Sequence, residues 1–395
     1  MDLKKIIKNM FFKQYLNYLM KRRDNLYFYD KNEFRIKLLE AEKQLHANYD
    51  CNFKIVEQRN DIEPVVSVIT PTYNSAQFLD ELRQSLENQE IADKVQWIVV
   101  NDCSTDNTEN VFHEFSRKTK LKSFKFISLD RNLGTSNALN IAADNSDSNI
   151  LAWVSADDAY CDSKKLSTDL KMIENGYDCI FSRYVTQGPN LTNSIKIDVI
   201  HNKKFDSRDD KKLDLFFMYK NLIAGNIFNG SSSVFKKDLF FRVGGFDTNL
   251  GIFDQDGDLW EKFLILNSKI GLSQTCSFNR IHPNQNSKRR YEMTIFTNLV
   301  RVRMIKLIFD MNLNEHISYF EDEIQKDLAG SLFSYLISTN FFVKHSDILR
   351  KNPKIEYFMN FVKNVFEEDN IALLERISDE FVETKSFQTF LKNIQ

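Results

Sequence analysis

The sequence is poor in cysteine pairs, long apolar runs, one-signed charge and repetition. Its five cysteines, Cys51, Cys103, Cys161, Cys179 and Cys276, lie far apart, with no Cys-x-x-Cys. An odd, scattered set fits a reducing cytosol better than a disulfide framework. No apolar run approaches the roughly 20 residues of a membrane span. The N-terminus lacks a continuous apolar h-region, so a signal peptide is not expected. Lys+Arg total 53 against 55 Asp+Glu, a net charge of −2, which is no global nucleic-acid footprint. Neither an internal repeat nor a low-complexity tract occurs. What is present is 395 residues at 42% hydrophobic, enough for a full core. That length suits one catalytic-sized domain with additions, or two to three smaller ones.

Residues 1–63 read as a helical extension. Leu3, Ile6, Ile7, Met10, Phe11, Leu16, Leu19 and Met20 recur near a 3.6 period, with Lys4, Lys5, Lys8 and Lys13 between them. Such a basic amphipathic helix either lies on an anionic membrane surface or packs its apolar stripe on the main domain. A second helix is expected near residues 32–46, and the polar stretch 50–63 reads as a linker ending at Pro64.

From Val65 the pattern becomes strand-helix alternation. Strands are expected at 65–70, 97–100, 124–129 and 150–155, with helices between them around Leu79, Phe112 and residues 138–143. This order predicts an α/β domain over residues 64–290 with a mainly parallel, Rossmann-like sheet. Ligands of such sheets bind beyond the carboxyl ends of the strands. Polar residues gather at those ends: Pro71, Thr72, Tyr73 and Asn74, then Asn101 to Asp106, then Asp130, Arg131 and Asn132, then Asp157 and Asp158. Adjacent carboxylates at a strand end need a compensating cation or donors. They are either a solvated turn or a site for Mg²⁺ or Mn²⁺ with a phosphorylated ligand. Tyr73 offers a stacking face, Asp102 an acceptor for a nucleobase N–H, and Arg131 a charge for phosphate. Singly, each is also explained as packing, a helix cap or a surface ion pair.

Four segments, in order, resemble family 2 glycosyltransferases. They are Val66-Ser67-Val68-Ile69-Thr70-Pro71-Thr72-Tyr73-Asn74, Val99-Val100-Asn101-Asp102-Cys103-Ser104-Thr105-Asp106, Arg131-Asn132-Leu133-Gly134 and Ala156-Asp157-Asp158. The resemblance spans about residues 65–287. It implies a GT-A fold, a nucleotide-sugar donor and inversion at the anomeric carbon. It places Pro71, Tyr73, Asp102, Arg131 and Asp157 on the donor, with Tyr73 and Asp102 at the base, and gives the metal to Asp158. Two departures stand out: Asn101 replaces an acid before Asp102, and Ser155 replaces the frequent Asp two positions before Asp157.

Further on, Val243-Gly244-Gly245-Phe246-Asp247 resembles the floor of the sugar and acceptor sites, or is a plain turn. In Asp254-Gln255-Asp256-Gly257-Asp258-Leu259-Trp260, the apolar pair sets the family's register. That puts Gln255 where the family has Glu and Asp256 where it has the catalytic base, with Asp254 as competitor. His282, followed by amide side chains and Ser287, resembles the family's residue at the metal or donor phosphates. Residues 291–395 read as a helical accessory domain for acceptor binding, partner binding or oligomerisation.

The expectation is a cytoplasmic, metal-dependent (Mn²⁺ or Mg²⁺) inverting transferase, either free or peripheral at the inner face of a membrane. It would move sugar from a UDP-sugar to a glycan or lipid-linked acceptor in surface polysaccharide synthesis. The competing readings are a non-catalytic nucleotide-sugar scaffold or sensor, and a sugar nucleotidyltransferase, which would need a Gly-rich loop after the first strand.

Overall fold

The computed structural model describes residues 31–45, 50–187, 197–198, 211–212, 228–250, 253, 255–286, 290–311 and 368–394. The basic stretch 1–24, Asp254 and the apolar positions between Leu328 and Phe366 lie outside them. The chain forms two compact units, residues 44–222, 226–288 and 382–395 in one, and residues 1–43, 223–225 and 289–381 in the other.

The larger unit holds a mixed sheet in the order β1-β4-β3-β2-β5-β10-β7-β11-β6. Its strands are β1 (Phe53–Asn60), β2 (Val66–Thr72), β3 (Val95–Asn101), β4 (Ser123–Leu129), β5 (Ile150–Trp153), β6 (Ala159–Tyr160), β7 (Cys179–Gln187), β10 (Ser233–Lys236) and β11 (Ile270–Arg280). Two short strands, β8 (Ile197–Asp198) and β9 (Lys211–Lys212), pair with β7 and β11. The run β4-β3-β2-β5 is parallel, as is β7-β11. The rest is antiparallel, with β10 reversed between β5 and β7. The sheet is therefore less parallel than the strand-helix alternation suggests, because that alternation stops after β5.

All seven residues of β3 are buried, as expected of a central strand covered on both faces. Helices α2 (Leu79–Glu87), α3 (Thr108–Lys118) and α4 (Thr135–Asp144) supply that cover. On one face, Phe112 of α3 stacks on Phe126 at 4.1 Å between ring centroids, with Trp97 at 5.8 Å. Each such buried ring stabilises the fold by about 1.5–3 kcal/mol. Pro71 continues β2 beyond the expected end. The ladder from β2 to β5 stops at Ile69, so the missing N–H of Pro71 breaks no pairing there.

The stretch 50–63 is no linker. Its core is β1, an edge strand paired antiparallel to β4 with a bulge between Ile55 and Glu57. It is mostly exposed, and an edge strand that buries little needs no apolar pattern. Beyond β5 come α5 (Lys165–Glu174), α6 (Lys237–Arg242) and α7 (Gln255–Ile265). Trp260 anchors α7: it is fully buried, packs edge-on against Phe181 at 4.8 Å, and its Nε1 donates to the Phe228 carbonyl at 3.2 Å.

The other unit contains most of α1 (Lys31–Leu45), with α8 (Arg290–Asp310) and α9 (Glu368–Phe381). Its buried Arg303 lies 4.0 Å from the Phe381 ring centroid and donates to the Phe381 carbonyl. The last helix, α10 (Lys385–Ile394), belongs instead to the sheet-bearing unit. Thr384 donates to Asp247 at 2.7 Å, and Asn393 donates to the Arg242 carbonyl at 2.7 Å. The boundary expected at residue 291 therefore does not hold to the C-terminus. Gly244 and Gly245, at φ 82° and 66°, form the turn beneath this helix. A Cβ on Gly244 would lie 2.3 Å from the Ser386 carbonyl oxygen. That close approach explains the glycine without an acceptor site.

Candidate active site

The ends of β2 and β3 are joined by side chains. Asn74 takes the left-handed conformation at φ 51°, and its Oδ1 accepts the amides of Thr105 (2.8 Å) and Asp106 (3.2 Å). Its own amide donates to Ser104 Oγ at 2.9 Å. Asp102 is 4% exposed, and its two oxygens accept the amides of Leu133 (2.7 Å) and Gly134 (2.8 Å). Burial pushes its carboxyl pKa up, and those two amides pull the other way. Asp102 thus braces the loop that opens α4. Each oxygen keeps a second lone pair for a ligand.

Asp157 and Asp158 separate. Asp158 is buried, accepting from Ser231 Oγ (2.5 Å), the Arg280 amide (2.9 Å) and Asn279 Nδ2 (3.4 Å). Burial, then the neighbouring Asp157 charge, pushes its pKa well above the usual carboxylate range, against those donors. Asp157 faces outward, with its Oδ2 2.9 Å from His282 Nε2. Donors arriving from Ser231 and β11 hold the oxygens of Asp158 inside the fold, whereas Asp157, not the Asp158 to which the resemblance gives the metal, lines the cleft.

Arg280 ties these pieces together. It is 3% exposed and lies over the Phe78 and Phe278 rings at 4.9 and 5.1 Å. Its Nε donates to the Asp157 carbonyl at 2.9 Å, and its Nη2 pairs with Glu81 on α2. Its carbonyl accepts from Gln285, whose Oε1 accepts the His282 amide at 3.2 Å. Phe78 also meets the His282 ring at 5.0 Å. Glu81, Phe78, Asn279 and Arg280 carry no motif that sequence reading could use.

A cleft of about 400 Å³ opens here, lined by Pro71, Tyr73, Phe78, Asp102, Asp157 and His282 among others. Tyr73 is 48% exposed beside it. Arg131 is not in that lining; it is exposed and donates to the Asp50 carbonyl. Asp256 is also outside the lining, half-buried in the first turn of α7, with its Oδ1 accepting the Gly257 amide at 3.0 Å. Burial, then the Asp256 charge, pushes the Tyr184 pKa up to about 12. Asp258 forms a fully buried pair with Lys262 at 2.6 Å. A second cleft, of about 600 Å³ beside Arg59, Asp61 and Lys125, contains none of the motif residues.

Comparison with known proteins bears on the family and the fold. The family model described as Glycosyl transferase family 2 matches residues 67–232. An uncharacterized glycosyltransferase of Rickettsia typhi is 30% identical over 244 residues, covering 58% of this chain and 67% of that protein. The chain belongs to glycosyltransferase family 2. A further relative in the family is TuaG of Bacillus subtilis, named provisionally for teichuronic acid biosynthesis. It is 30% identical over 123 residues, 30% of this chain and 46% of its own. Among solved structures, S. aureus TarS superposes with a TM-score of 0.50 at 16% identity, covering 79% of this chain and 55% of that one. The family's GT-A fold is the fold seen here. Among the described residues, no helix is long and apolar enough to cross a membrane.

The cleft also suits the divalent ion that the family implies. Asp157 and His282 present one carboxylate oxygen and one imidazole nitrogen side by side. This mixed O/N pair suits Mn²⁺ better than the all-oxygen preference of Mg²⁺. No group of three or more candidate ligands occurs among the described residues.

Tyr73→Ala removes an exposed aromatic face from the cleft wall and should weaken nucleotide binding about tenfold, at about 1.4 kcal/mol per decade. Asp102→Ala should cost about 1–3 kcal/mol of stability as well, since two buried amides lose their acceptor. Calorimetric titration with UDP and thermal melts test both. Unchanged affinity in Tyr73→Ala, or an unchanged melting temperature in Asp102→Ala, would contradict these roles.

Proposed function

We propose that this glycosyltransferase moves a sugar from a UDP-sugar to a glycan or lipid-linked acceptor, with inversion, assisted by Mn²⁺. The observation that carries the reading is one cleft holding a stacking face (Tyr73), a base acceptor (Asp102) and an O/N pair for a cation (Asp157 and His282). Tyr73 stacks on the base, and Asp102 accepts a base N–H while bracing the Leu133 and Gly134 amides. Asp157 and His282 hold the cation, with Arg280 fixing the backbone that carries them. When bound, the ion neutralises charge on the leaving diphosphate. The acceptor hydroxyl attacks the anomeric carbon, its proton passes to Asp256, and the bond from that carbon to the diphosphate oxygen breaks. The similarity to TuaG supports a polysaccharide acceptor.

The position of Asp256 outside the cleft lining favours one rival, a nucleotide-sugar sensor without transfer. A panel of UDP- and GDP-sugars separates these readings. With Mn²⁺ present, UDP-sugars should raise the melting temperature, as a ligand that binds only the folded state must. They should also release free UDP when a lipid-linked oligosaccharide is supplied. Stabilisation without nucleotide release would identify a sensor. Preference for GDP-sugars would overturn the donor assignment.

A further inference from the structure

Cysteines that lie far apart in the sequence meet in the fold. In the β6-β11 ladder, Ala159 faces Phe278 and Tyr160 faces Ser277. One step further, Cys161 stands opposite Cys276, and the Cys161 amide donates to the Cys276 carbonyl at 3.3 Å. The Cys276 thiol donates to the Ser277 carbonyl at 3.3 Å. Opposed residues of an antiparallel pair have Cα atoms about 4.5–5.5 Å apart, within the about 4.4–6.8 Å that a disulfide spans. The register of β11 against β7 shifts between Ser273 and Cys276. Such a bulge re-aims the side chains beside it. Cys161 is exposed and Cys276 half-buried, so a small reagent can reach the pair.

We propose that Cys161 and Cys276 are a thiol-disulfide exchange site that closes a cross-strand disulfide with a small-molecule disulfide such as oxidised glutathione. The Cys276 thiolate attacks one sulfur of the reagent and expels a thiolate. Cys161, deprotonated, then attacks the Cys276 sulfur of the mixed disulfide and expels the second thiolate. Two protein thiols become one S–S bond, and the reagent is reduced to two thiols. The neighbouring Cys161 thiol lowers the Cys276 pKa, and burial opposes it. That favours Cys276 as the attacking thiolate.

The position gives the bond a consequence. β6 pairs only with β11 among the described strands, through two residue pairs. That short ladder joins Asp158 to Asn279 and Arg280. A disulfide at its far end closes a long loop and holds the ladder shut.

The full-length protein is incubated with oxidised glutathione and mapped by non-reducing peptide mass spectrometry. The expected result is a Cys161-Cys276 linked peptide and a melting temperature raised by roughly 4 °C or more. Both should be lost on adding dithiothreitol and absent in Cys161→Ser and Cys276→Ser. A Cys51→Ser/Cys103→Ser variant should keep both. Only glutathione adducts, linkage to a different cysteine, or an unchanged melting temperature in the cross-linked protein would overturn the proposal. Neither readout depends on donor or acceptor, so the result stands apart from the proposed transfer.

Discussion

Asp256→Asn should lower sugar transfer by at least about a hundredfold while donor binding persists, within the 10²–10⁴ range that loss of a general base brings. The substitution is nearly isosteric, and the amide oxygen still accepts from Gly257, so the start of α7 is retained. Two of its neighbours cannot replace it. Gln255 is uncharged and buried. Asp258 is committed to Lys262, which also donates to Ser386 Oγ at 3.0 Å. Asp258→Asn would leave that buried ammonium without its counter-charge, and breaking such a pair costs about 3–5 kcal/mol. It should therefore reveal itself in a thermal melt first, and Asp256→Asn in turnover alone. Single-turnover transfer at saturating donor, with melts on each variant, separates the two. A wild-type rate in Asp256→Asn would remove the base assignment.

The second large effect should divide the two adjacent carboxylates. Asp157→Asn should lose the Mn²⁺-dependent part of UDP affinity, at least about tenfold, since even outer-shell partners of a metal are worth 10–100-fold. Its melting temperature should barely change, because Asn can still hydrogen-bond His282. Asp158→Ala should behave differently. The Arg280 amide and the Ser231 hydroxyl would lose their acceptor, at about 1–3 kcal/mol. Its loss should appear in the melt as well as in donor binding. UDP calorimetry with and without Mn²⁺ reads both. Full Mn²⁺ dependence in Asp157→Asn would return the metal role to Asp158.

The cleft wall carrying Tyr73, Asp102 and Asp157 was legible because these residues follow strands that announce themselves. β2, β3, β4 and β5 are mostly apolar runs, and their order alone places Tyr73, Asp102 and Asp157 at one end of the sheet. β1 escaped because an edge strand exposes most of its residues. Most of the reversed half, from β10 to β6, escaped because its pairings join segments distant in the sequence. The contact of Arg131 with the Asp50 carbonyl is likewise long-range, and no local pattern announces it.

By itself the sequence determined the fold class, the family and the end of the sheet where chemistry gathers, because periodicity, turn chemistry and strand-end motifs are local properties of the chain. Tertiary structure alone decided which of two adjacent acids faces the cleft. It also decided that Arg280, Phe78 and Glu81 brace His282, and that Cys161 meets Cys276. The contacts made by Glu81 and Phe78 and the meeting of the two cysteines join residues between 115 and 204 positions apart. Their geometry depends on sheet register and on where β11 crosses β6, and a linear pattern of residue types does not encode that crossing.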